Sequence, residues 1–329
     1  MADAENGGIL FDFEPPPRRL ACPILDCHVH AGRLGPTRNL VAAARDYAVT
    51  AALGICWSVR SARLLDAAFP GFFRFAIFVD FTHRADPHRF QEKNERLLEA
   101  AAAAGIRAAK IWAAPQFNAD YGVHLHDPLV EPVLRAMARL GFACIVHVSD
   151  PDAWFAGRYA DAARFGTKEQ NYVQLEEVMR RHRDVLFQGA HVAGDPEHLD
   201  HVARLLDSHP NLVIDTGATK WVSRELGRQP DAARQFVTAY ADRMVFGTDA
   251  AVFDNLPRRH HASRYWVHQV LWETDYDGPS PIYDPDGGGR VRIRGLNLPG
   301  DVLEKLYFRN AVRLGIFGSP AGPSPFVRL

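Results

Sequence analysis

The chain has 329 residues, 47% of them hydrophobic, and a formal net charge of −1, enough to bury a large core in one big α/β domain or two smaller ones. So small a charge gives no general attraction to nucleic acid or anionic membranes, which leaves selectivity to a site. No apolar run approaches the roughly 20 residues of a membrane span, and the start carries acidic residues and Pro15-Pro16-Pro17 where a signal peptide has a basic start and an unbroken apolar core. The cysteines Cys22, Cys27, Cys56 and Cys144 lack C-x-x-C spacing and mostly lie in apolar runs. They read as reduced, buried thiols, and the expectation is a cytoplasmic protein.

Residues 1–22 read as an irregular arm, with Phe11 and Phe13 as docking points. The first strand is Ile24-Leu25-Asp26-Cys27-His28-Val29-His30. Alternate side chains of a strand share a face, so His28 and His30 point the same way with Asp26 behind them. A helix over 39–48, a strand over 51–57, a helix over 60–68 and a strand over 72–80 follow. Then come an alanine-rich helix over 88–104 stopped by Gly105, and a fourth strand over 106–112.

The rhythm continues with helix 128–140, strand 142–148, helix 169–182 and strand 185–191. Helix 196–208, with Asp195 as its N-cap, strand 211–216, helix 231–240 and strand 244–249 complete eight units. Strict alternation implies a parallel sheet, and eight repeats are the number that closes a (β/α)8 TIM barrel, a single domain over 23–329. An open doubly wound sheet is the runner-up. It normally has a Gly-rich phosphate turn after the first strand, which Ala31-Gly32-Arg33-Leu34-Gly35-Pro36 does not match well. Beyond Asp249 come a helix over 260–274, a Gly/Pro/Asp-rich insertion over 275–294 and two closing helices over 299–316.

Polar residues able to bind a metal end several of these strands: His28 and His30 on the first, Lys110 on the fourth, His147 on the fifth, His191 on the sixth and Asp249 on the eighth. In barrels that edge is the active face. An imidazole or carboxylate there is costly to bury without a partner. One such residue is commonly a hydrogen-bonded core group, whereas several strand ends together point to a divalent cation.

With these residues assembled, the chain resembles the amidohydrolase superfamily, in its amidohydrolase-related branch that includes aminocarboxymuconate-semialdehyde and resorcylate-type decarboxylases. The resemblance covers about residues 23–317. It rests on Asp26-x-His28-x-His30, His147, His191, Phe246-Gly247-Thr248-Asp249 and the closing Asn310-Ala311-Val312-Arg313-Leu314-Gly315. It implies that His28, His30, His147 and Asp249 hold one divalent ion, zinc with manganese as the alternative. His191 would orient or protonate the reacting group, and a homodimer is expected.

Such a ligand set activates water at neutral pH, and Asp249 is placed to accept its proton. The first expectation is therefore a hydrolase using metal-bound hydroxide on an amide, ester or lactone carbonyl of a small molecule. The second is a non-oxidative decarboxylase of an aromatic or unsaturated acid, and a third is a catalytically inactive barrel serving as a binding protein. For Lys110 the resemblance implies the carboxylated lysine that bridges two metals in binuclear members of the superfamily, and the residue reads equally as an anchor for a substrate carboxylate or a snorkelling rim residue. Trp57, Trp112 and Trp221 are weighed as an apolar substrate wall against core packing. Arg60 and Arg224 are weighed as carboxylate clamps against solvated arginines. Lys110, Trp57, Trp112 and Arg224 are kept as substrate-binding candidates. His124 and His126 read as surface residues, and Asp150 stands where deaminases of the superfamily have a glutamate.

Overall fold

The apolar runs of the sequence fold as strands: β1 (Ile24–His30), β2 (Val49–Cys56), β3 (Phe73–Phe78), β4 (Ala108–Trp112), β5 (Ala143–His147), β6 (Phe187–Gly189), β7 (Leu212–Asp215), β8 (Met244–Val245) and β9 (Ala250–Ala251). The computed structural model describes residues 14–252 and 256–316. The nine strands form one sheet whose order is β8-β7-β6-β5-β4-β3-β2-β1-β9, chain order throughout except for the short last strand beside β1. Parallel neighbours need crossover connections, and helices supply them, which makes the architecture a (β/α)8 barrel. No helix among the described residues is long and apolar enough to cross a membrane.

Internal contacts divide the described residues into two compact units, one within 14–54, 67–74 and 215–316, the other of 55–66 and 75–214. The boundaries at 54/55, 74/75 and 214/215 cut through β2, β3 and β7 and do not fall in linkers.

In the first unit, the segment after β8 runs along β1. Cys27 N–H donates to Phe246 O at 2.8 Å, Asp249 N–H to His28 O at 2.8 Å, and Val252 N–H to His30 O at 3.1 Å. Asn310 of the closing helical segment donates through Nδ2 to Ala241 O at 2.6 Å and Met244 O at 2.7 Å, which holds the approach to β8. The segment 275–294 is an antiparallel hairpin, β10 (Asp277–Asp284) with β11 (Gly289–Arg294), with Asp277 opposite Arg294. Of the arm, residues 1–13, with Phe11 and Phe13, lie outside the described residues. Arg19 ties the remainder down by donating to Glu273 O and Leu298 O at 3.0 Å each.

In the second unit the register of β3 to β7 aligns Phe78, Lys110, Ile145, Gln188 and Val213 in one row, with Trp112 and His147 paired two residues further toward the strand ends. Helix Lys168–Arg181 is opened by a capping box of Thr167 and Gln170. Asp195 is not the N-cap expected of it. Helix Leu199–Ser208 starts after His198, and the Asp195 carboxylate is claimed by Lys168 and His201, both at 2.7 Å. Helix Thr219–Arg228 of the first unit, unforeseen in the sequence, follows Ala218 in the left-handed region with no capping side chain. Cys27, Cys56 and Cys144 are buried thiols, and burial pushes the last two up to about 12.

Helix Arg258–Glu273 of the first unit buries three histidines. His268 donates or accepts at Thr219 Oγ1 (3.0 Å) through Nε2 and accepts from Trp272 Nε1 (3.3 Å) at Nδ1, an arrangement that suits the neutral ring. Burial lowers the pKa of His268 to about 3, opposed by Asp215, and that of His261 to about 4, helped by Arg264. For His260 burial lowers it to about 2, with Arg264, His261 and Lys220 adding to the effect. Between these values and the ordinary 6.5 the unfolded chain binds protons that the folded chain does not, so stability falls as pH falls through that window. At pH 5 each such ring is expected to cost up to about 2 kcal/mol relative to pH 8. Thermal unfolding from pH 8 to pH 5 tests this. The melting temperature should drop with acid and drop less steeply in His261→Phe, and an equal slope in the variant would remove His261 from the cause.

Candidate metal centre

The two-residue repeat of β1 puts Asp26, His28 and His30 on one face and Cys27 and Val29, both 0% exposed, on the other. Asp26 is also 0% exposed and acts as a clamp. Its carboxylate accepts from His28 N and Thr248 N at 3.1 Å, Thr248 Oγ1 at 2.6 Å and Tyr265 Oη at 3.1 Å. Burial pushes its pKa up to about 6 against the pull of these donors. Two of them are the backbone groups of His28 and Thr248, so the buried acid fixes β1 relative to the turn that carries Asp249.

Asp249 has φ of 58°, the left-handed region that aspartate tolerates better than most residues. Its Oδ1 lies 3.0 Å from His30 Nε2 and 3.3 Å from His28 Nε2. The three ligand atoms lie within 4.8 Å of one another. Ligands about 2.0–2.1 Å from a tetrahedral zinc stand roughly 3.3–3.4 Å apart, so these spacings fit a shared cation. His28 Nδ1 faces Asp215 Oδ2 at 2.8 Å, both side chains 0% exposed. Sequence reasoning missed Asp215, although its signal was present: it is a carboxylate ending the apolar run Leu212-Val213-Ile214.

The second unit brings His147 and His191 together, ring centroids 4.6 Å apart at 85°. His147 Nε2 lies 3.0 Å from Asp150 Oδ1, and Asp150 also accepts from Tyr159 Oη at 3.0 Å. His191 does not extend β6. It starts three successive left-handed residues, with φ of 62° at His191, 55° at Val192 and 55° at Ala193. For β-branched Val192 that conformation is strained, and strain of this kind collects where a side chain must be aimed. Gly194 must be glycine, because φ is +79° and a Cβ would come 2.6 Å from Ser149 O.

The proposed substrate residues fare unequally. Lys110 is 2% exposed, which sets aside the reading of a lysine snorkelling at the rim. Trp57 is 60% exposed and stacks on Phe78 at 4.1 Å and 13°, and Trp112 is 40% exposed. Trp221 is buried in its helix. Arg224 is a correction. It is 3% exposed, its Nε donates to Glu225 at 2.6 Å, and NH1 is bonded to Asp284 of β10. Two buried carboxylates neutralise it, so it pins the hairpin to helix Thr219–Arg228 in place of clamping substrate. Arg60 and His124 are exposed, and His126 pairs with Glu177 at 3.3 Å, as surface groups do.

No curated protein matches the chain by sequence. Among solved structures it is similar to 4-oxalomesaconate hydratase from Rhodopseudomonas palustris, with 12% identity, a TM-score of 0.53 and coverage of 89% of this chain and 96% of that one. It is also similar to 5-carboxyvanillate decarboxylase from Novosphingobium aromaticivorans, crystallised with manganese and 4-hydroxy-3-methoxy-5-nitrobenzoic acid. There the identity is 12%, the TM-score 0.53 and the coverage 88% and 95%. At such identity the likeness concerns the fold. The sequence profile described as Amidohydrolase matches residues 26–314, most of the polypeptide and every strand end discussed above except the first two residues of β1, and on that ground the chain belongs to the amidohydrolase family.

Proposed function

We propose that the protein is a divalent-metal-dependent hydrolase of small molecules, with His28, His30 and Asp249 as metal ligands and His147 as the fourth. The observation that carries this is the convergence of His28 Nε2, His30 Nε2 and Asp249 Oδ1. Nitrogen and oxygen donors of this kind suit zinc first and manganese second. A bound divalent cation supplies Lewis acidity toward a carbonyl oxygen that gains charge and toward a water that loses a proton.

The remaining work falls to side chains. Asp249, with its side chain 26% exposed, takes a proton from the attacking water as the water oxygen bonds to the carbonyl carbon of an amide, ester or lactone. The bond from that carbon to the leaving nitrogen or oxygen then breaks, and His191 delivers a proton to the departing atom. The left-handed turn at His191 supports this role, since it takes the backbone out of the line of β6. Asp150, hydrogen-bonded to His147, would orient that ring as a ligand.

A second reading, non-oxidative decarboxylation of a flat acid, is favoured by Trp57. Its exposed ring backed by Phe78 is a platform for an aromatic or conjugated substrate, and the exposed Trp112 and the buried Lys110 amine add a wall and a cationic anchor. The two readings predict different products from the same ligands. Assay against a panel of lactones and aryl esters, and separately against hydroxybenzoates with carbon dioxide release as the readout, decides between them. Ester or lactone turnover without carbon dioxide release is the expected result, and the reverse outcome replaces hydrolase with carboxy-lyase.

Metal analysis tests the centre itself. The purified protein is expected to hold about one zinc or manganese per chain, whereas His30→Ala and Asp249→Ala should lose the ion and at least about a hundredfold in turnover with far-ultraviolet circular dichroism unchanged. Full metal content in both variants would remove them from the ligand set. His147→Ala is measured alongside, since retention of the ion there would reduce the set to three protein ligands.

A further inference from the structure

We infer that Asp215 is a positioning residue for the metal centre, holding His28 as the tautomer whose Nε2 faces the cation. The inference rests on the reading of His28, His30 and Asp249 as ligands and extends it to a residue outside that set.

A ligand imidazole is neutral and carries one N–H, so its two nitrogens cannot both donate. An ionised carboxylate only accepts. With His28 Nδ1 at 2.8 Å from Asp215 Oδ2 in a fully buried environment, the proton belongs on Nδ1 and the lone pair on Nε2, the nitrogen 3.3 Å from Asp249 Oδ1. Without Asp215 the ring has two tautomers and a rotation to choose from, and only part of that population presents a lone pair to a metal. A carboxylate behind the ring also raises the basicity of the ligating nitrogen.

The surroundings keep the carboxylate from turning away. Its second oxygen, Oδ1, accepts from Gly217 N at 2.9 Å. The next residue, Thr216, is bonded through Oγ1 to both the N–H (3.0 Å) and the carbonyl (2.9 Å) of Gly247, which ties the end of β7 to the segment after β8. Gly247 in turn leaves room for the pair: a Cβ there would lie 2.9 Å from His28 Cβ and 3.5 Å from Asp215 Cβ. The acid, the imidazole and the glycine therefore form one packed unit, with the metal-facing edge of His28 on its far side from Asp215.

Two measurements test the inference, one of them independent of turnover and of metal. Nitrogen-15 spectra of histidine-labelled protein after chelator dialysis should show His28 with a protonated Nδ1 and an unprotonated Nε2. In Asp215→Asn, whose amide can donate to Nδ1, the proton should move to Nε2. Competition between the protein and a chromophoric chelator for Zn²⁺ should show about 10–100-fold weaker binding in Asp215→Asn, with Asp215→Glu recovering part of the loss. A purely structural acid would lower stability without reversing the tautomer.

A wild-type His28 protonated on Nε2 overturns the inference, and this measurement decides the matter alone if Asp215→Asn does not fold. Zn²⁺ affinity within twofold of wild type in a folded Asp215→Asn also overturns it while leaving the ligand set intact. Absence of tight Zn²⁺ binding in the wild type is a distinct result that sinks the metal centre itself.

Discussion

Three backbone hydrogen bonds hold the stretch from Phe246 to Val252 along β1, from Cys27 to Phe246, from Asp249 to His28 and from Val252 to His30. They set the register in which a carboxylate on one segment meets two imidazoles on the other. A slip of one residue would turn His28 and His30 to the opposite face of the strand, because side chains alternate with a period of two. The Asp26 carboxylate reinforces this register by accepting from backbone groups on both segments. The ligand geometry thus follows from strand pairing, and Asp249 reaches it only through a backbone conformation with positive φ.

Polar groups buried this deeply destabilise a fold unless each finds a partner. Asp26 finds four donors, Asp215 finds His28 and the Gly217 amide, and Asp150 finds His147 and Tyr159. Each of these acids touches either a histidine of the proposed centre or the backbone that carries one. The same barrel keeps other buried polar groups far from such duty, as Arg224 between Glu225 and Asp284 shows. Burial and charge alone therefore do not mark a catalytic group. The proposed centre rests instead on the convergence of His28, His30 and Asp249 on one point.

Much of the fold was legible because its signals are local. Short apolar runs alternating with helical patterns implied a parallel barrel, and the paired histidines of β1 shared a face by simple periodicity. Asp215 went unremarked because its meaning depends on His28, 187 residues away. Arg224 was misread for a related reason, since its partner Asp284 belongs to a hairpin that composition alone presented as an irregular insertion. Asp195 had the right residue type for a cap, yet a lysine and a histidine compete for its oxygens. Helix Thr219–Arg228 escaped notice because it begins without a capping side chain, after an alanine in a conformation that alanine rarely adopts. Local rules failed in each instance where a distant side chain or a strained backbone decided the outcome.

The first compact unit joins residues 14–54 to residues beyond 214, and Asp26 meets Thr248 across 222 residues. On the ribosome, His28 and His30 emerge long before Asp215 and Asp249 have been synthesised. The nascent chain must carry two exposed imidazoles beside an apolar strand until the last third appears. Closing so long a loop is slow, and unpaired strand edges in the waiting intermediate invite association with other chains. Cells making this protein should therefore gain soluble yield from added chaperone capacity, and an early-captured cation would have to be held by two histidines alone.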